Sequence, residues 1–224
     1  MEQLTFELAA PEPPTFANYV SAGNAEAAAV LARCATSDWR ETCIVLWGGP
    51  GGGKTHLLRA AVAHALGVMP AYYHATPFDV PDDFPAGRAV IAVDDVDRAD
   101  PAAQGRLFTL FNALAASGGC LLAAAAVPPA RMPLRDDLRS RLGWGLVFEI
   151  VPLADADKVA ALGAYARSLG LELAPDVVAY LLAHGRRDMS TLVATVAALD
   201  RHSLSTKRAI TVPLLRAWMQ REQP

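Results

Sequence analysis

The sequence predicts an α/β protein, with a parallel five-stranded sheet flanked by helices and followed by a small helical domain. Three observations support this fold class. Short continuous apolar runs alternate with amphipathic helical segments up to residue 150, a pattern typical of parallel strands that are buried on both faces. One of these runs ends in a glycine-rich turn before a helix. Beyond residue 155 only the helical period of 3.6 residues remains.

Each predicted strand is a short, mostly apolar run bounded by polar or turn-forming residues. Helices are predicted where apolar side chains recur every three or four positions. In chain order, the predicted elements are a helix at 25–34, a strand at 42–50, a helix through 57–65, strands at 71–76 and 88–97, a helix through 107–114, a strand at 120–127, a helix at 134–142 and a strand at 146–150.

The last third of the chain has a different pattern. Four helices are predicted there, with apolar positions within 159–169, 177–182, 189–199 and 214–218. The expected organisation is therefore a peptide and linker at 1–14, a core domain at 15–152 and a helical domain at 153–224.

The most specific motif is GGPGGGKT, in which Gly48 is followed by four residues and then by Gly53-Lys54-Thr55. It lies between a predicted strand and a predicted helix, which is the context of a phosphate-binding P-loop. Glycines let backbone N–H groups wrap around phosphate oxygens in conformations that a Cβ forbids. A glycine turn that serves packing alone is the alternative. The predicted nucleotide contacts are Gly48, Gly49, Pro50, Gly51, Gly52, Gly53, Lys54, Thr55 and His56.

A magnesium site is predicted beside the phosphates. Lys54 is expected to neutralise the terminal phosphates, and Thr55 to hold Mg²⁺ through its hydroxyl. The run VIAVDD ends in Asp94-Asp95, and a carboxylate at the end of a neighbouring parallel strand can complete the metal site. We therefore expect Asp94 to be a metal ligand and Asp95 to be a nucleotide contact that orients water. Taken alone, acids at a strand end are also typical of a solvated turn.

Two arginines, Arg139 and Arg141, lie in the segment DDLRSRLGWG. Arginines on a short surface helix are usually just solvated. In an ATPase that assembles, however, an arginine at this place can reach the γ-phosphate held by a neighbouring subunit and stabilise the charge of the transition state.

The first eight residues, MEQLTFEL, have alternating apolar positions and are followed by prolines within 11–14. An edge strand, a disordered segment and a docking peptide all fit this pattern. An extended peptide of six residues spans about 20 Å, enough to fill a surface groove, and a glutamine amide both donates and accepts hydrogen bonds. The proline-rich stretch then serves as a stiff spacer. We favour docking through Gln3, Leu4, Phe6 and Leu8.

Composition excludes several classes of protein. The content of 53% hydrophobic and 19% charged residues is that of a globular protein rather than a disordered one. No signal peptide and no apolar run of membrane-spanning length is evident. The net charge of −3 is unlike that of a protein that binds nucleic acid through a basic face. Three cysteines without metal-ligand spacing are expected to be buried thiols of a cytoplasmic protein: Cys34, Cys43 and Cys120.

The order of these motifs resembles the AAA+ superfamily and, more closely, the ATPase core of the replication initiator DnaA. The resemblance covers about 200 residues and is carried most specifically by SRLGWG and PLADADK. It implies an AAA+ P-loop core and a C-terminal helical lid domain that bind ADP or ATP with Mg²⁺. In this comparison QLTFEL is expected to take the place of the initiator's N-terminal domain, and we expect no helix-turn-helix domain after the lid.

This combination is similar to the regulatory inactivators of DnaA, a branch of that family. QLTFEL resembles the peptides that dock on the DNA polymerase sliding clamp. The resemblance implies that Gln3, Leu4, Phe6 and Leu8 bind the clamp, and that Arg141 acts as an arginine finger on ATP bound to DnaA. The implied partners are thus DnaA and the clamp, with a possible homodimer, no membrane, and contact with DNA mostly through the clamp. The implied location is the cytoplasm, at the nucleoid.

Two positions depart from the DnaA pattern. The polar residue that senses the γ-phosphate after the fourth core strand is replaced by Ala126, which has no side-chain hydrogen-bond donor. The lid arginine that reaches the nucleotide falls at Ser190, with Arg186 and Arg187 nearby. We therefore expect a nucleotide-bound regulator that holds ADP and prevents re-initiation. One alternative is an AAA+ ATPase with its own turnover, acting as a loader or remodeller in replication. Another is a scaffold that targets some other partner to DNA through the initiator-like fold.

Overall fold

The computed structural model describes residues 13–36, 38–84, 87–185, 188–206 and 209–222. The chain divides into two compact units, one spanning Pro13–Pro152 and the other containing the residues from Leu153 onward. Gln3, Leu4, Phe6, Leu8, Arg186 and Arg187 lie outside the described residues, as does the side chain of Ser190.

The strands described in the first unit form a parallel five-stranded sheet, which confirms the predicted fold class. Its strand order is β2-β3-β4-β1-β5, and every neighbouring pair is parallel. The strands are β1 Cys43–Trp47, β2 Ala71–His74, β3 Val90–Val93, β4 Cys120–Ala125 and β5 Leu146–Glu149. All residues of β3 and β4 are buried, as their continuous apolar runs predict.

In the described part of this unit, four α-helices cover the sheet: α1 Ala25–Arg33, α2 Lys54–Ala65, α3 Pro101–Ser117 and α4 Asp136–Trp144. One core cluster joins one face of the sheet to α1 and α2, and a second cluster joins the other face to α3 and α4. Neighbouring residues of β1 divide accordingly, with Ile44 in the first cluster and Val45 in the second, because successive side chains of a strand point to opposite faces.

The ends of α3 follow from local chemistry. The side chain of Asp100 accepts a hydrogen bond from Ala103 N at 2.7 Å, and Pro101 occupies the first helical position, where its missing N–H costs nothing. Gly118 ends the helix with φ 70°, a left-handed conformation that glycine adopts readily. The helix is thus longer than the segment through 107–114 that apolar periodicity predicts.

The described residues of the second unit form four α-helices: α5 Asp155–Ser168, α6 Pro175–His184, α7 Met189–Thr206 and α8 Val212–Glu222. Their apolar faces meet in a third core cluster that includes Leu162, Leu181, Val196 and Leu215. The four predicted helices are therefore present, and they bury their apolar positions against one another.

The three cysteines are free and buried, as the sequence predicts. Burial raises the pKa of the Cys34 and Cys43 thiols to about 12, so both stay protonated and act as small apolar side chains. Within the described part of the chain, no helix combines the length and apolarity needed to cross a bilayer.

Candidate functional site

The phosphate loop, residues 48–53, joins β1 to α2 at the carboxyl end of the sheet. Gly48, Gly51 and Gly53 have φ values of 141°, 79° and 90°, which residues with a side chain rarely adopt. Gly53 is the N-cap of α2, so the first unpaired N–H groups of that helix lie next to the loop. A helix N-terminus that follows glycines in this way is suited to bind phosphate.

Neighbouring backbone fits closely against both ends of the loop. A Cβ at Gly48 would lie 2.5 Å from the carbonyl oxygen of Ile150, and one at Gly52 would lie 2.9 Å from the same atom. Gly48 N also donates to Ala125 O at 3.3 Å. The middle of the loop, residues 49–51, is exposed, so the loop is held at its ends and open between them.

Lys54, the first residue of α2, lies over the loop. Its Nζ donates to Gly48 O at 2.6 Å and to Gly49 O at 2.9 Å. Burial lowers the pKa of Lys54, and three nearby carboxylates act in the opposite direction. These carboxylates are Asp94, Asp95 and Asp97. The ammonium group therefore lies between the loop carbonyls and an acidic strand end, where it can also meet a phosphate.

The two predicted metal ligands are in contact. Thr55 Oγ1 donates to Asp94 Oδ2 at 2.5 Å, and Asp94 is only 6% exposed. The same oxygen accepts a hydrogen bond from the Tyr73 hydroxyl at 3.3 Å, while Asp94 Oδ1 accepts one from Asp95 N at 3.0 Å. A hydroxyl and a carboxylate fixed side by side are the hard oxygen donors that Mg²⁺ prefers, so these residues fit the predicted ion.

Asp95 follows the strand in a left-handed conformation, with φ 51°. Its Oδ2 forms a salt bridge of 3.3 Å with Arg98 Nη1. The residue is thus next to the site in the chain, but its carboxylate is engaged by an arginine. The role in orienting water stays a prediction.

A segment that the sequence did not single out contacts the phosphate loop. We call residues 13–24 the N-terminal strap. The Tyr19 hydroxyl donates to Gly52 O at 3.2 Å, and a Cβ at Gly53 would lie 2.7 Å from the Tyr19 ring. His56, a predicted nucleotide contact, lies with its ring 5.4 Å from that of Tyr19, and its Nε2 is 2.9 Å from Thr15 O. The structure therefore places His56 against the strap.

Asn24 anchors the end of this strap. The side chain is 3% exposed, and its Oδ1 accepts from Val151 N at 3.0 Å while its Nδ2 donates to Val151 O at 2.9 Å. Nδ2 also lies 3.2 Å from the Tyr19 hydroxyl. Asn24 holds the strap through Val151, which is 127 residues away in the chain. No local sequence motif around Asn24 indicates this contact.

At the position of the missing sensor, Ala126 follows β4 and is exposed. Its backbone N–H donates to Asp97 Oδ2 at 3.2 Å. The other oxygen of this carboxylate, Asp97 Oδ1, is buried and has no hydrogen-bond partner among the described residues. The sequence pattern did not identify Asp97, although it lies shortly after Asp94 in the chain.

Arg141 lies on α4 and packs against α3. Its guanidinium is 4.2 Å from the centre of the Phe108 ring, a cation–π distance. Its Nε donates to Asn112 Oδ1 at 3.1 Å, and its Nη1 lies 3.4 Å from Asp137 O. Within the described residues Arg141 forms no salt bridge, so its charge is oriented without being neutralised.

The other candidate arginine differs. Arg139 forms a salt bridge with Asp136 on the same helix. Trp144, at the end of α4, is 75% exposed and lies 6.0 Å from the Arg141 guanidinium. We call the surface formed by Phe108, Asn112, Arg141 and Trp144 the arginine surface. An exposed tryptophan beside an oriented arginine has the residue types that are enriched in interaction hot spots.

Solved structures of known proteins share this fold over most of both chains. Domain III of DnaA from Thermotoga maritima matches with a TM-score of 0.72 and 20% identity, over 92% of this chain and 96% of that chain. AMPPCP-bound DnaA from Aquifex aeolicus matches with a TM-score of 0.66 and 22% identity, over 87% of this chain and 69% of that chain. The Thermotoga maritima RuvB Holliday junction branch migration motor matches with a TM-score of 0.67 and 15% identity, over 93% of this chain and 72% of that chain. These matches show that the chain has the fold shared by the three proteins.

The protein-family model described as "Hda, lid domain" matches residues 155–219. The match covers the helices of the second unit, so this part of the chain resembles the lid domain of Hda, as the sequence predicts.

Proposed function

We propose that this protein is a nucleotide-bound regulator of replication initiation. Acting in the cytoplasm at the nucleoid, it docks on the DNA polymerase sliding clamp and supplies Arg141 in trans to ATP bound by DnaA. The resulting hydrolysis inactivates the initiator and prevents re-initiation. In this proposal residues 1–14 are the docking peptide and linker, 15–152 the nucleotide-binding core and 153–224 the lid.

The state of Arg141 is the observation that carries this proposal. An arginine finger must be held in one direction and still have its charge available to a phosphate. Stacking on Phe108 and the hydrogen bond to Asn112 supply the direction. The salt bridge of Arg139 with Asp136 makes that neighbour the weaker candidate. Trp144 gives a partner an exposed aromatic side chain to cover.

The phosphate loop supports binding of ADP or ATP by the protein itself. Solved DnaA structures that share the fold include one bound to AMPPCP. Gly48 to Thr55 would hold the phosphates, and Thr55 with Asp94 would hold Mg²⁺, which neutralises phosphate charge when bound. Ala126 has no side-chain donor, and its N–H donates to Asp97. We therefore propose ADP as the resident nucleotide and a structural role for it.

The test is stimulation of DnaA. Purified DnaA with bound ATP is mixed with clamp loaded on DNA, and conversion to ADP is followed with and without this protein. Arg141→Ala should abolish the stimulation while clamp binding and thermal unfolding stay unchanged. Arg139→Ala is the matched control and should keep most of it. Full stimulation by Arg141→Ala would contradict the assignment of the finger.

Docking on the clamp is tested separately. Replacing Gln3 and Leu4 by alanine should remove clamp binding, measured by surface plasmon resonance, and leave nucleotide affinity unchanged. Phe6 and Leu8 are the other proposed anchors. Undiminished clamp binding by the double variant would contradict the docking role of the peptide.

A second candidate function is an AAA+ ATPase with its own turnover that acts as a loader or remodeller in replication. The contact between Thr55 and Asp94, followed by Asp95, favours it because these are the residue types of a hydrolysing site. The protein alone with MgATP separates the two functions. Robust hydrolysis without partners favours the ATPase, and negligible hydrolysis favours the regulator. A homodimer would appear in either case by analytical ultracentrifugation.

A further inference from the structure

Position 126 lies directly beside the phosphate loop. Gly48 N donates to Ala125 O, so the first glycine of the loop is tied to the last residue of β4. Ala126 is the next residue after this link. Whatever residue 126 and its neighbours present therefore faces the same end of the sheet as Lys54 and Asp94.

The protein presents no hydrogen-bond donor at residue 126 for a third phosphate. The Ala126 side chain is a methyl group and cannot donate. Its backbone N–H is occupied, because it donates to Asp97 Oδ2 at 3.2 Å. Alanine at position 126 leaves the backbone N–H as the only donor of this residue, and Asp97 accepts its hydrogen bond.

Asp97 is also the least compensated of three carboxylates at this end of the sheet. Asp94 accepts hydrogen bonds from two hydroxyls and one amide, and Asp95 forms a salt bridge with Arg98. Asp97 accepts one amide hydrogen bond, and its Oδ1 is buried without a partner among the described residues. A carboxylate with a buried, unpaired oxygen keeps an uncompensated negative charge, so it repels further negative charge nearby.

The charge of Asp97 reaches the phosphate-binding groups. Asp97 Oδ2 accepts from the N–H of Ala126, next to the Ala125 carbonyl that accepts from Gly48 N. Lys54 Nζ donates to Gly48 O on the same loop. Lys54 is the residue expected to meet the terminal phosphates. A phosphate group placed beyond the diphosphate position would enter the field of the same three carboxylates.

We propose that Asp97 determines the nucleotide specificity of the site, by disfavouring a nucleoside triphosphate relative to the diphosphate. It does so by charge repulsion and by occupying the Ala126 amide. The inference rests on the nucleotide binding in the proposed function and adds the residue that makes the selection.

The substitution Asp97→Asn tests this role with almost no change of shape. The amide oxygen that it introduces can still accept from the Ala126 N–H, so the turn after β3 keeps its link to β4. The negative charge is lost, and a side-chain N–H₂ donor replaces the second oxygen. Asp82→Asn is the matched control, because it removes the same charge at an exposed residue of another loop.

The experiment is isothermal titration calorimetry of the full chain with ADP and with AMPPCP, both with Mg²⁺. The wild type should bind ADP more tightly than AMPPCP. Asp97→Asn should shift the ratio of the two dissociation constants toward AMPPCP by about tenfold, the size expected of one uncompensated charge at short range. Asp82→Asn should leave the ratio unchanged.

Three results would overturn the inference. An unchanged ratio in Asp97→Asn would contradict it even if the wild type prefers ADP. Equal affinities of the wild type for ADP and AMPPCP would also contradict it. This measurement needs no variant, so it tests the proposal even if Asp97→Asn fails to fold. A wild type that binds neither compound would contradict the nucleotide binding of the proposed function, and the inference with it.

Discussion

The phosphate loop is held by backbone at both of its ends, whereas Arg141 is held by side chains on a surface that stays partly exposed. At the loop, a single Cβ would collide with Ile150 O, so glycine is required whatever ligand binds. At the arginine surface, Phe108 and Asn112 only orient a charge. The difference teaches that the backbone fixes the shape of the loop by itself, whereas in the proposed function the arginine surface acts only with a partner.

The largest effect is expected at the loop. Gly48→Ala places a Cβ 2.5 Å from Ile150 O on a residue with φ 141°, and should lower the free energy of unfolding by about 3 kcal/mol. Urea unfolding measures this. Gly49→Ala is the control, since its Cβ meets nothing within 4 Å. Equal stabilities of the two variants would show that the close approach at Gly48 is easily relaxed.

A substitution at Asn24 tests whether the N-terminal strap beside the loop also contributes to stability. Asn24→Ala removes a buried side chain and leaves both backbone groups of Val151 without their partner at a partly buried place, which should cost about 2 kcal/mol of unfolding free energy. The exposed Asn18 supplies the comparison, and Asn18→Ala should cost less than about 1 kcal/mol. A loss at Asn24 no larger than that at Asn18 would mean that water replaces the lost hydrogen bonds.

On the arginine surface the effect should be on activity alone. Asn112→Ala removes the hydrogen bond to Arg141 Nε, and stimulation of DnaA should fall by about threefold to tenfold, which corresponds to one hydrogen bond. Unfolding and ADP binding should not change. Thr109→Ala, an exposed position on the same helix, should keep full stimulation. A comparable loss of ADP binding in Asn112→Ala would contradict the separation of the two regions.

The smallest effect concerns pH. Partial burial lowers the pKa of His74, although Asp79 acts in the opposite direction. The unfolded chain therefore takes up the proton first, so stability present at pH 7 is lost as pH falls below about 6.5, the usual histidine pKa. His74→Gln should reduce the loss of unfolding free energy between about pH 7 and about pH 5.5. An equal loss in both proteins would exclude His74 as a contributor.

Sequence patterns predicted the strands, the helices and the glycine loop, because these features depend on residues that are close together in the chain. The apolar runs of β1, β3 and β4 specify strands buried on both faces, and the spacing from Gly48 to Thr55 specifies a loop between a strand and a helix. Asn24 and Asp97 were missed because their roles come from Val151 and Ala126, which are distant in sequence. Contacts across 127 and 29 residues leave no periodic signal.

The exposed Trp144 provides an intrinsic fluorescence signal for association at the arginine surface. Of its four tryptophans, Trp144 is the one found 75% exposed, while Trp39, Trp47 and Trp218 are partly buried. A partner that covers the arginine surface would exclude water from this indole and shift its fluorescence to shorter wavelength. Trp144→Phe would remove that signal, so association could be followed without attaching a dye to either protein.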